Sequence, residues 1–85
     1  MKRHTIKESG KNGTVHFEGL VLVRTIRKTL GRDDVQTIPL RSISSTHLNR
    51  RTLGADIVTI TVGPLSYEWK SSTADEIAAH IKNHA

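Results

Sequence analysis

The sequence predicts an α+β fold in which an antiparallel sheet packs against one C-terminal helix. Three observations carry this. Residues 56–62 and 65–70 alternate apolar and polar side chains on either side of Gly63-Pro64, the period-2 pattern of a half-buried hairpin. Residues 73–85 then place Ala74, Ile77, Ala78 and Ile81 at i, i+3, i+4 and i+7, one apolar stripe of a helix. Upstream, residues 14–48 hold several further short β-rich runs broken by turn residues. A hairpin with one apolar face and a helix with one apolar stripe must bury those surfaces together or against more sheet.

Taken in order, residues 1–12 are polar apart from Met1 and Ile6. They read as a flexible arm, with room for one short stretch, Thr5 to Lys7, at a sheet edge. Residues 13–85 read as a single domain. Gly10 and Gly13 bracket a turn. Thr14 to Glu18 alternates, with Val15 and Phe17 inward and His16 outward. Glu18-Gly19 is a tight turn. Leu20 to Ile26 starts apolar on both faces and reads as a central strand. Residues 27–34, RKTLGRDD, form a charged loop. Val35 to Leu40 is a third strand, placed at an edge or an end by Pro39, which has no N–H to give a ladder. Ile43 to Leu48 is a weaker fourth, and Asn49 to Ala55 is a loop. In the final hairpin Val58, Ile60 and Val62 share one face, and Leu65, Tyr67 and Trp69 are expected to point inward. Thr73 and Glu76 have the spacing of a capping box. Asp75 and Glu76 sit at the positive end of the helix dipole and Lys82 at the negative end.

Composition narrows the function. Eighty-five residues make one small domain with little core to give up to a deep pocket. No cysteine is present, which excludes disulfides, thiolate metal sites and cysteine nucleophiles. A small domain without disulfides points to a reducing, cytoplasmic location. The basic start is followed by no apolar run, so it does not read as a signal peptide, and no run has the length of a membrane span. Charge is uneven. Residues 1–51 carry a net +7 and residues 52–85 a net −2. One basic half suggests a basic face and an acidic partner, although excess Lys and Arg also keep a small domain soluble.

Two short signatures carry a resemblance. One is Gly13-Thr14-Val15-His16-Phe17-Glu18-Gly19; the other is Ile38-Pro39-Leu40-Arg41-Ser42-Ile43. In that order, followed by a hairpin and a helix, they resemble the small pleckstrin-homology-like domains of actinobacteria and their phages. The resemblance covers the chain from about residue 12 onward. It implies a strongly bent antiparallel sheet of about six to seven strands, a sandwich or partial barrel, capped by the C-terminal helix. The segment Thr46 to Gly54 departs from the family's pattern in being more basic and less apolar. The family has no single activity, so the resemblance speaks to fold more than to function.

No catalytic constellation stands out. Ser, His and Asp occur without a G-x-S-x-G elbow. His80 and His84 lie at i, i+4 but without the Glu of an HExxH motif. Asp33-Asp34 beside Arg32 read as solvated turn residues, and Gly10-Lys11-Asn12-Gly13 is not a P-loop. We therefore expect a non-enzymatic module without a cofactor. The candidate binding residues are basic. Arg24, Arg27, Lys28 and Arg32 lie on or beside one strand-to-strand loop; Arg41, Arg50 and Arg51 form a second region. The expected partner is a protein, or a second copy in a homo-oligomer. Nucleic acid is the alternative, by phosphate contact to a duplex. Stacking on single strands needs aromatic side chains, and Phe17, Tyr67 and Trp69 read as core. Anionic lipid ranks third.

Overall fold

The computed structural model describes residues 2–84. Seven antiparallel strands form one sheet: β1 (His4–Glu8), β2 (Lys11–Glu18), β3 (Val21–Ile26), β4 (Asp34–Pro39), β5 (Ile43–Asn49), β6 (Asp56–Val62) and β7 (Leu65–Ser71). A 3₁₀ turn, Leu40–Ser42, joins β4 to β5, and helix α1 (Ala74–His84) follows β7. The spatial order is β4-β3-β2-β1-β7-β6-β5. The sheet curls into a half-barrel, and α1 caps it by packing on β5, β6, β7 and the 3₁₀ turn. This is the expected α+β architecture.

The segment read as an arm, residues 1–12, contributes β1 to the middle of the sheet. Five residue pairs join β1 to β2, from His4↔Val15 to Glu8↔Lys11. On its other side β1 meets β7 through Lys7↔Lys70. The composition of the segment is misleading because Ile6, 1% exposed, is the one apolar residue of β1, and its other inward side chains, His4 and Glu8, are polar. The hairpin turn is a local feature. Ser9 (φ 51°) and Gly10 (φ 81°) are both left-handed, as the tight two-residue turn that matches strand twist requires. Gly13, expected to bracket that turn, lies inside β2 opposite Ile6 and Ile26. A Cβ there would stand 2.4 Å from the Thr25 carbonyl oxygen and 2.7 Å from Ile26 Cδ1. The close approach of β3 therefore selects glycine at this position.

The alternation rule places most inward residues. Val15, Leu22, Ile38, Val58, Ile60 and Trp69 are buried in one core with the α1 stripe Ala74, Ile77, Ala78 and Ile81. Leu65 departs from it. It lies on the inner face by register but is 53% exposed, because it starts β7 beyond the reach of the helix. His16 also departs, being only 5% exposed on the outer face. There Arg3 lies 3.3 Å from its Nδ1 and Glu18 3.4 Å from its Nε2. Thr14 to Glu18 belongs to β2, an inner strand: Thr14 and Val15 pair with both β1 and β3, and His16 to Glu18 pair with β3. The edges are β4 and β5.

The start of α1 is built differently from a capping box. The Thr73 carbonyl accepts the Glu76 and Ile77 N–H groups. The Thr73 hydroxyl is engaged by His4 Nδ1 at 2.8 Å and by Ser71 Oγ at 3.2 Å. Glu76 pairs with Lys2. The side chains of Lys2, His4 and Ser71 thus take the groups that a local cap would have used.

Trp69 is the largest fully buried side chain. We predict that Trp69→Ala costs about 3–5 kcal/mol, from lost apolar contact plus a cavity. That approaches the whole stability of a small domain. The check is a denaturant melt, and a midpoint near that of the wild type would refute the core assignment.

Candidate functional site

Leu22, Arg24 and Ile26 share the inner face of β3. Arg24 is consequently 7% exposed, inside the half-barrel rather than on the basic surface. Its Nε donates to Glu8 Oε1 at 2.7 Å and its Nη2 donates to Glu8 Oε2, a two-pronged ion pair between β3 and β1. Nη1 reaches Asp34 Oδ2 at 3.4 Å and Gln36 Oε1 at 3.5 Å on β4. From β7, Trp69 Nε1 donates to Glu8 Oε1 at 2.8 Å, and the Tyr67 hydroxyl donates to Gln36 at 3.1 Å. The guanidinium carbon lies 5.2 Å from the Tyr67 ring centroid. The Arg24 hydrogen bonds hold the Glu8 carboxyl below its usual range, against the opposing effect of burial, and Glu8 in turn raises Arg24. Arg24 is therefore committed to an internal polar plug. The expectation that it contacts a partner is corrected by its burial.

The other residues of the first group remain on the surface. Arg27, Lys28 and Arg32 are exposed in the β3–β4 loop, and among the described residues they form no ion pair. The loop is anchored at its start, where Arg27 N donates to the Asn12 carbonyl at 3.0 Å. Leu30 sits between the cations and is 87% exposed. Beside the loop, Arg3, Thr14, Thr25, Arg27 and Asp33 line a cleft of about 250 Å³ on the outer face. An apolar side chain among unpaired cations can meet an acidic surface that also offers an apolar hollow.

The second group does not converge. Arg41 lies in the 3₁₀ turn and shares a cleft with Leu20, Val21, Pro39 and His84, at the C-terminal end of α1. Arg50 and Arg51 lie in the β5–β6 loop. Arg50 Nη1 is 3.8 Å from Asp56 Oδ2, and Arg51 N donates to Asp56 Oδ1 at 2.9 Å. Asp56 pairs with Ser71, just before α1 begins. The two parts of this group therefore lie towards opposite ends of the helix, about 16 Å apart for its 11 residues.

Sequence reading passed over the histidines as a group. Phe17 stacks on His80 with centroids 3.8 Å apart, His80 stacks on His84 at 4.3 Å, and His4 meets Phe17 edge-on at 6.2 Å. His84 Nδ1 donates to the His80 carbonyl at 2.8 Å. His80 Nε2 is buried without a hydrogen-bond partner. Burial lowers the pKa of both His4 and His80 below 6.5. Stacked rings do not converge on a point, and among the described residues no three His, Cys, Asp or Glu side chains are placed to hold a metal. Among these residues, too, no helix is long and apolar enough to cross a membrane.

Comparison with family models, curated proteins and solved structures finds no match to this chain.

Two outcomes follow from the buried polar groups. Glu8→Ala strands the Arg24 charge in the interior and should cost about 3–5 kcal/mol, whereas joint replacement of Glu8 and Arg24 by apolar residues should cost much less; equal losses would refute the coupling. Because folding lowers the pKa of His4 and His80, the neutral rings favour the folded state. Stability should be full above about pH 6.5 and fall as pH drops below it. His80→Phe keeps the stack and should flatten the decline in melting temperature, measured between pH 7 and 5.

Proposed function

We propose that this protein is a non-enzymatic binding module that recognises an acidic protein surface through the β3–β4 loop. The observation that carries the reading is the pairing of Leu30, almost fully exposed, with Arg27, Lys28 and Arg32, none of which is in an ion pair among the described residues. The cations around Leu30 favour an acidic surface, and the leucine offers that surface an apolar contact at their centre. The curled sheet with its C-terminal helix is compatible with the resemblance to bacterial pleckstrin-homology-like domains, which we retain as part of the proposal. A cytoplasmic location fits the lack of cysteine.

The second reading, duplex nucleic acid, draws on the same cations but leaves Leu30 without a role. It also has fewer residues to draw on, since Arg24 is internal and Arg41, Arg50 and Arg51 are dispersed.

The test is a photo-crosslinking amino acid at position 30, activated in the protein's native cells. Protein adducts that survive nuclease and fade in the Arg27→Ala/Lys28→Ala variant are expected. In parallel, duplex DNA binding is followed by anisotropy against salt. Tight binding whose log–log salt slope falls by up to about two in the double variant would favour nucleic acid instead.

A further inference from the structure

The β4 edge runs directly out of this loop. β4 is bonded to β3 on one side, and its other side is a sheet edge, with N–H and C=O groups that no strand takes up. Its outer face carries Val35, 61% exposed. Thr14, Thr25 and Val35 are register partners in a row across β2, β3 and β4. The row ends at Val35, and one more strand would continue it. The Arg3–Arg27 cleft borders the same row through Thr14 and Thr25.

We propose that the β4 edge takes up an extended acidic segment of a partner protein as an added antiparallel strand. Val35 and Leu30 are its apolar anchors, and Arg27, Lys28 and Arg32 its charge contacts. The proposal rests on the loop being a protein-binding surface and adds the binding mode and the class of segment.

Three features select this occupant. The charged side chain on β4, Asp34, is half exposed, but its carboxylate is paired with Arg24 at 3.4 Å, which offsets its charge. Pro39 ends the ladder, which leaves residues 34–38, about 17 Å of strand. The other edge, β5, is interrupted by an irregularity between Ile43 and Ser45 and shows exposed Ser44, Ser45 and His47, so it offers no comparable apolar anchor. A second copy of this chain fits poorly. Self-pairing would bring together two copies of an edge flanked at both ends by cations, Arg32 and Arg41, and nearby like charges disfavour that pairing. Nucleic acid has no backbone amides to extend the sheet.

The experiment is an NMR titration of the isotope-labelled protein with a short peptide of alternating valine and threonine ending in glutamates. Shift changes in residues 27–38 are expected. Alternate amides of residues 34–38, fast to exchange in the free protein, should slow at least tenfold. The Arg27→Ala/Lys28→Ala variant should bind about tenfold more weakly, and Val35→Lys more weakly still, with the Trp69 indole signal reporting an intact fold in both. A peptide with the same charge and a central proline should not bind. If the proline peptide binds equally and shifts only the loop, strand addition is overturned while the loop reading stands. No shift at about 1 mM peptide, or a response on β5, overturns strand addition as well, and the crosslinking result decides the loop reading separately. Concentration-dependent shifts at β4 without peptide would assign the edge to a second copy and overturn the acidic-segment proposal.

Discussion

The Glu8 carboxylate is the interaction on which the fold most depends. One oxygen receives both Arg24 Nε and Trp69 Nε1, and the other receives Arg24 Nη2. These three residues stand on β1, β3 and β7. The backbone contributes a narrow joint at the same place, since Lys7↔Lys70 is the ladder pair between β1 and β7, supplemented by Ser71 Oγ donating to the Thr5 carbonyl at 2.8 Å. Side chains thus hold together two parts of the sheet that the ladder barely connects. A buried ion pair seldom adds much over a well-packed apolar core, because desolvation offsets the attraction. Its effect here is geometric. The fork of the guanidinium and the two carboxylate oxygens fit one relative placement of the strands, and Gln36 extends that placement to β4 and Tyr67.

The plug also sorts the charges of the basic half. Arg24 and Glu8 neutralise one another inside, with Asp34 as a further partner. What remains outside near β4 is Arg27, Lys28 and Arg32 around Leu30, with the single acid Asp33 beside them. Asp34 stays half exposed, but its carboxylate lies 3.4 Å from Arg24 Nη1, which offsets a charge that would otherwise repel an acidic segment. The proposed surface is therefore a consequence of the interior network. The same residue that lines the loop's first strand in sequence, Arg24, works on the far side of the sheet.

The chain's two ends are held by a second set of contacts. His4 on β1 meets the Thr73 hydroxyl, Lys2 meets Glu76, and Phe17 stacks on His80. Residues 2–4 are thereby tied to the beginning of α1, and β2 to its middle. Neutral imidazoles suit this place, since they stack and accept burial where a charged ring would not. The cap over the half-barrel is in this way coupled to the protonation of His4 and His80.

Local periodicity determined a good deal. The β6–β7 hairpin, the buried stripe of α1, the position of Pro39 at the end of an edge strand and the α+β class all follow from spacings of two or of three and four. These patterns are short-range, and the residues that set them are neighbours in the chain. Even the burial of Arg24 had a signal, since it lies between Leu22 and Ile26 on one face of a strand. Only the tertiary structure decided that residues 4–8 are a central strand, because one apolar residue in five carries no periodicity. It alone decided that Glu8 is the partner of Arg24, sixteen residues away, and that Thr73 caps toward His4 rather than Glu76. It also separated Arg41 from Arg50 and Arg51, which the sequence had suggested as one region. Each of these depends on which strands lie side by side, and strand order is a property of the closed sheet that no local spacing encodes.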